Sequence, residues 1–232
     1  MLTHPAVKLT PQLGGFGKKV YCQNDEDGIV QRILSDLGIA KGYFVEFGVG
    51  PPWNSTYSAA GLEANCRLLR ENGWSGLFID AREFPPAAEV ARERITPFNI
   101  NLMLRKYAVP EEFDLISIDI DGQDFWVWMN LQAKPRIVII EYNASIALEI
   151  SCVIPFAPHF EWDGTNWFGA SLAALDKLAH SRSYTLVYAN GVNAFFVRSD
   201  LFSNHTDFRL EELFVEKTFH PDDTMRRSYV VI

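Results

Sequence analysis

Four short apolar runs in this chain each close on an acidic residue, and that repetition restricts the fold more than any other feature of the sequence. They are YFVEFG, with Glu46 ahead of Gly48; GLFID, closing on Asp80; FDLISID, closing on Asp119; and RIVIIE, closing on Glu141. Runs this short, rich in Val, Ile and Phe, read as strands covered on both faces, as in a parallel sheet. A glycine turn and a segment of helical spacing join the first two, which makes a βαβ unit with a right-handed crossover. The expectation is an α/β chain with a mostly parallel seven-stranded sheet, an antiparallel C-terminal hairpin and helices on both faces.

Around these strands the spacing predicts helices. Ile29, Val30, Ile33, Leu34 and Leu37 recur at helical intervals over 25–37, and Asp25, Glu26 and Asp27 suit the positive N-terminal end of that helix, expected to be a lid before the sheet. Asn54 or Ser55 is suited to cap the next helix, which carries Leu62, Cys66 and Leu69 on one face and ends near Asn72-Gly73. Arg94-Ile95-Thr96 is the expected third strand, with further strands over Phe113–Asp119 and Arg136–Glu141. A last helix is expected from Gly169 to about Arg182, followed by two strand-like runs around Asn190-Gly191, a dipeptide that accepts the positive φ angles of a tight hairpin. One domain is expected over 1–232, with a helical lid over 1–40, a core over 41–200 and an extension over 201–232.

At 232 residues the chain is long enough to bury such a sheet within one domain. The net charge of -8 argues against a nucleic-acid partner, since clustered Lys and Arg are needed to neutralise phosphates and the cationic runs, such as Lys18/Lys19 and Arg226/Arg227, are no longer than pairs. The opening MLTHPAVKLTPQLGG lacks the features of a signal peptide, and nowhere do about eighteen apolar residues follow one another, so the expected location is cytoplasmic with no membrane contact. Cys22, Cys66 and Cys152 are too widely spaced for a metal finger and read as reduced structural thiols. The tail from Phe208, ending SYVVI, suits either a homodimer interface or an edge strand.

Taken together, VEFGVGPPWNST, GWSGLFID, DLISIDIDGQDFWVW, IVIIEYN, WFGASLAALDKL and GVNAFFVR resemble segments of bacterial methyltransferases related to the FkbM-type enzymes, over roughly residues 21–198. The resemblance implies a Rossmann-like methyltransferase fold and methyl transfer from S-adenosylmethionine to an oxygen of a small-molecule or saccharide acceptor. It implies that Glu46, Gly48 and Gly50 hold the methionine part of the cofactor, with Asn54 and Asp119 beside them, and that Asp80 accepts hydrogen bonds from the ribose. Pro51 and Pro52 depart from the fuller glycine-rich pattern. Asp80 would serve the adenosine ribose of NAD equally well, which keeps an NAD(P)-dependent oxidoreductase open, although neither a complete GxGxxG nor a Tyr-x-x-x-Lys pair is present. A non-catalytic methyltransferase-like binding module is the third reading.

The acids at the strand ends suggest further chemistry. If strand geometry persists, Asp119 and Asp121 face the same side, and Glu141 and Asn143 lie at the end of the neighbouring strand, so the four form an oxygen-rich set suited to a hard cation such as Mg2+. The arrangement is similar to metal-dependent O-methyltransferases of the catechol type, in which the metal orients a substrate hydroxyl and lowers its pKa. No lysine base follows DIDGQD, so His159, in the long loop from Ala144 to Phe168, is the candidate proton acceptor beside Asp119. Tyr21, Gln23, Asp25 and Asp27 are expected to fold over cofactor or substrate, or else to cap the first helix. Phe125, Trp126 and Trp128 suit helix packing, while Trp53 is the better binding candidate.

Overall fold

The computed structural model describes residues 7–50 and 62–232. Its apolar runs become strands β1 (Tyr43–Phe47), β2 (Ser75–Asp80), β4 (Leu115–Ile118) and β5 (Ile137–Glu141), with a short β3 at Val90–Arg92. The hairpin around Asn190-Gly191 supplies β7 (Tyr184–Ala189) and β8 (Asn193–Arg198). These seven strands form one sheet in the order β3-β2-β1-β4-β5-β8-β7. All neighbours pair in parallel except at β8, which runs antiparallel to both β5 and β7. The protein is therefore an α/β chain with a mostly parallel seven-stranded sheet.

Strand alternation divides the core into two layers. Val45, Phe47, Ile116, Ile118, Val138 and Ile140 point to one face, where α3 (Ile100–Lys106), α4 (Asp124–Asn130) and α5 (Leu172–Ser181) cover them. Phe44, Leu115, Ile137, Ile139 and Phe195 point to the other, packed with Ile29, Val30, Ile33 and Leu34 of α1 (Glu26–Asp36) and Leu69 of α2 (Arg67–Glu71). Helix α1 thus belongs to the layer that seals the sheet, where its apolar stripe is fully buried, rather than standing before the sheet as a lid.

Two expected elements differ. Helix α2 holds only Arg67–Glu71, so Leu62 precedes it and Cys66 is its N-cap. The chain before it pairs back on the glycine turn instead: Gly50 and Glu63 exchange backbone hydrogen bonds of 2.8 and 2.9 Å. Trp53, Asn54 and Ser55 lie outside the described residues. The third strand is Val90–Arg92, not Arg94-Ile95-Thr96. Thr96 is committed to the turn that starts α3, where its N–H donates to Asn99 Oδ1 at 2.7 Å.

The loop between β5 and α5 contains its own short strand, β6 (Cys152–Val153), which pairs with β9 (Val230–Val231) of the tail. The SYVVI ending is thus an edge partner within the same chain. A short α6 (Leu210–Leu213) leads into that tail. Cys22, Cys66 and Cys152 are free and buried, and among the described residues no helix is long and apolar enough to cross a membrane.

Candidate functional site

The sheet reverses its strand order between β1 and β4, and in open parallel sheets ligands bind outside the carboxyl ends of the strands at such a point. Gly48 leaves β1 there with φ +75, passing directly over the backbone of Asp119. A side chain is excluded at that crossing, which explains the glycine. Gly50 is not among the positive-φ glycines and forms a bridge to Glu63.

Glu46 is 2% exposed and lies on the α2 face of β1. Its Oε1 accepts the Asn65 N–H at 2.7 Å and its Oε2 the Cys66 N–H at 2.8 Å, so the carboxylate holds the backbone that opens α2. Burial pushes its pKa up to about 7 despite the two donors. Both oxygens are directed at protein, so Glu46 shapes the β1 exit from beneath instead of facing the crevice.

Asp80 ends β2 and is 6% exposed. Its Oδ2 accepts the Val49 N–H at 3.1 Å, tying β2 to the glycine turn. Arg82 closes over it, with Nε 2.9 Å from Oδ1 and Nη2 2.7 Å from Oδ2 and 2.6 Å from the Val49 carbonyl. The Arg82 side chain is 58% exposed, and its guanidinium also lies over the Phe84 ring, 5.7 Å from the centroid.

The acids at β4 and β5 do meet, but as a different set from the expected one. Strand β4 stops at Ile118, and Asp121 takes a left-handed φ of +57 in an exposed turn, which breaks the strand geometry that would align it with Asp119. Asp124 replaces it. One carboxylate oxygen from each of Asp119, Asp124 and Glu141 lies within 4.8 Å of the other two. Asp124 is fixed by the Ile120 N–H on Oδ1 and the Gly122 N–H on Oδ2, each 2.8 Å. Burial, and then the neighbouring acids, push Asp119 and Glu141 far above the usual carboxylate range, and burial brings Asp124 to about 7.

Asn143 is fully buried and serves as a staple. Its amide nitrogen donates to the carbonyls of Asn166 and Phe168, and its oxygen accepts from the N–H and Oγ of Ser145. It sets the path of the loop that overhangs the site.

Beside Glu141 a cavity of about 340 Å³ is walled by Gln23, Asn143, Ser145, Phe168, Lys217 and His220 among others. Its roof is the tail: Lys217 N–H donates to the Ala144 carbonyl, Asn166 N–H to the Pro221 carbonyl, and Arg227 pairs with Asp163 at 2.8 Å. His220 packs edge-on against Trp162, with ring centroids 4.5 Å apart, and against Phe168 at 5.7 Å. His159 is exposed in the turn after Ala157 and is not among the residues walling the cavity. A larger hollow, about 490 Å³, lies beyond Asn24 and Lys217 between Leu13 and Arg209, away from the carboxylates.

The N-terminal motif contributes Gln23 and Asn24 to the cavity wall. Asp27 Oδ2 instead accepts the N–H groups of Val20, Tyr21 and Cys22, and Asp25 accepts the Tyr188 hydroxyl at 2.5 Å and the Asn190 amide at 2.8 Å. Asp27 thus ties α1 to the segment before it, and Asp25 anchors the start of α1 to the hairpin. Phe125 and Trp128 are buried in the core, Trp128 against Tyr184 and Phe196, while Trp126 donates its indole N–H to the Ile154 carbonyl. Neither a protein-family model nor a curated protein sequence matches this chain.

Proposed function

We propose that this protein is an S-adenosylmethionine-dependent methyltransferase acting on an oxygen of a small polar or saccharide acceptor. The observation that carries the reading is the sheet: a parallel array with its reversal point between β1 and β4, and a single antiparallel strand, β8, inserted between β5 and β7. The methyltransferase fold completes its otherwise parallel sheet with one antiparallel strand, whereas nicotinamide-binding Rossmann domains do not require it.

The residues present fit an adenosine-containing cofactor at one end of the crevice. Asp80, at the carboxyl end of β2 beside the glycine turn, is a carboxylate suited to accept hydrogen bonds from a ribose diol. Gly48 keeps the β1 exit free of side chain. When bound, the cofactor supplies a sulfonium-borne methyl group open to in-line attack by an oxygen.

The chain's own part is positioning, water exclusion and proton management. The cavity beside Glu141, roofed by the tail and the loop after β5, seats the acceptor away from bulk water. His220 is the imidazole in that wall, and it is the proton acceptor of this reading. Phe168 and the neighbouring Trp162 offer apolar faces against which a sugar ring packs.

Incubation with methyl-labelled S-adenosylmethionine and a panel of hydroxylated acceptors tests the proposal. Label appearing in an acceptor supports it; failure of the wild-type protein to retain the labelled cofactor at all contradicts it.

A further inference from the structure

Asp119 follows β4, Asp124 opens α4 and Glu141 ends β5, so three separate elements deliver carboxylates to one point. Asp124 is 1% exposed and held rigidly by two backbone donors. Glu141 Oε2 is buried and has no hydrogen-bond partner among the described residues. A buried acceptor without a donor is costly, and a buried acid beside two others more so. Among the described residues, the charged groups that weigh most on these two are acids: Asp124, Asp121, Glu46 and Glu26 on Asp119, and Asp119, Asp124 and Asp121 on Glu141.

We propose that Asp119, Asp124 and Glu141 bind one divalent hard cation of the Mg2+ or Mn2+ class through one oxygen each, at the inner wall of the cavity beside Glu141. Three features select that class. The donors are all carboxylate oxygens, which suit hard cations and disfavour soft ones. One oxygen of each lies within 4.8 Å of the other two, close to the limit of ~4.4 Å between opposite ligands at metal–oxygen distances of about 2.2 Å, so a small inward shift of the side chains brings all three onto one ion. Three protein ligands leave about half of an octahedral sphere for water or a bound molecule. Because Glu141 belongs to both the cluster and the cavity wall, the open positions are within reach of whatever occupies the cavity.

The inference rests on the methyl-transfer reading only for its use, as an anchor for acceptor oxygens, and not for its existence. Full-length protein stripped with chelator and dialysed is titrated with Mn2+ under electron paramagnetic resonance, with Mg2+ as competitor. One bound Mn2+ per chain, displaced by Mg2+, is the expected result. Glu141→Gln and Asp119→Asn are expected to raise the Mn2+ dissociation constant at least ~10-fold, with thermal melts confirming that both variants are folded. Absence of Mn2+ binding to the wild-type protein at millimolar metal overturns the proposal, as does equally tight binding by the folded variants. S-adenosylhomocysteine titrated into the same samples separates the two claims: its binding without Mn2+ binding refutes only the metal site, and the reverse refutes only the cofactor reading.

Discussion

A Cβ placed on Gly48 would lie 1.4 Å from the backbone oxygen of Asp119, so the exit of the first strand and the end of the fourth are locked in backbone contact. The crossing is held from both sides, with Gly48 N–H donating to the Ile79 carbonyl at 3.0 Å and Asp119 N–H to the Phe47 carbonyl at 3.2 Å. Everything arranged along the crevice depends on that contact.

Gly48→Ala is therefore expected to be severely destabilising. Alanine at φ +75 costs about 1–2 kcal/mol on its own, and relieving the overlap must separate β1 from β4. Urea denaturation should show a loss of more than about 2 kcal/mol; a near-neutral result would mean that the crossing is not so tight.

Glu46 gives a pH signature. The folded protein keeps its proton up to about pH 7, while the unfolded chain releases it near the ordinary value of 4.5. Over that window the native state binds more protons, so the unfolding free energy falls as pH rises and levels off above about 7. Asp124, also brought to about 7, acts in the same direction. In Glu46→Gln this part of the fall is absent, so the variant should gain on the wild type between pH 4.5 and 7 in parallel denaturation curves. A stability gap that does not change with pH would contradict the raised pKa.

Ser171 is fully buried and does two things at once, accepting the Ala174 N–H as N-cap of α5 and the Cys152 N–H of β6 at 3.1 Å. Ser171→Ala should cost about 1–2 kcal/mol and loosen the pairing of β6 with β9. Hydrogen exchange at Val153 checks the second effect, with faster exchange expected.

Once an acceptor is known, the two histidines separate cleanly. His220→Ala should lower turnover by about 100-fold, because His220 lines the cavity. His159→Ala, at an exposed turn, should leave turnover near wild type. The opposite ranking would move the proton acceptor back to the loop.

The strands of the large sheet other than β3, and their acidic ends, were legible in the sequence because a buried parallel strand leaves a dense apolar signature and Asn190-Gly191 forces a hairpin, whereas the three-residue edge strand β3 leaves no such signature. The start of α2 was not. Leu62 and Cys66 have helical spacing, but the Glu46 carboxylate captures the Asn65 and Cys66 N–H groups and begins the helix there, a contact 19 residues apart in the chain for Asn65. Asp119 and Glu141 were legible as a convergent pair, whereas the choice between Asp121 and Asp124 turned on a left-handed backbone that a sequence pattern does not display. Asn143 was visible as a polar residue at a strand end, yet its four hydrogen bonds go to the loop. His220 carried no spacing signal at all, and only the tail's path over the cavity brings it to the site.

Calorimetric titration of the purified protein with S-adenosylhomocysteine, alongside Asp80→Ala, tests the central claim most directly. The account predicts micromolar binding by the wild type, about -8 kcal/mol, and clearly weaker binding by the variant. No heat from S-adenosylhomocysteine, with NADH binding in its place, would contradict it and turn the same Asp80 crevice toward oxidoreductase chemistry.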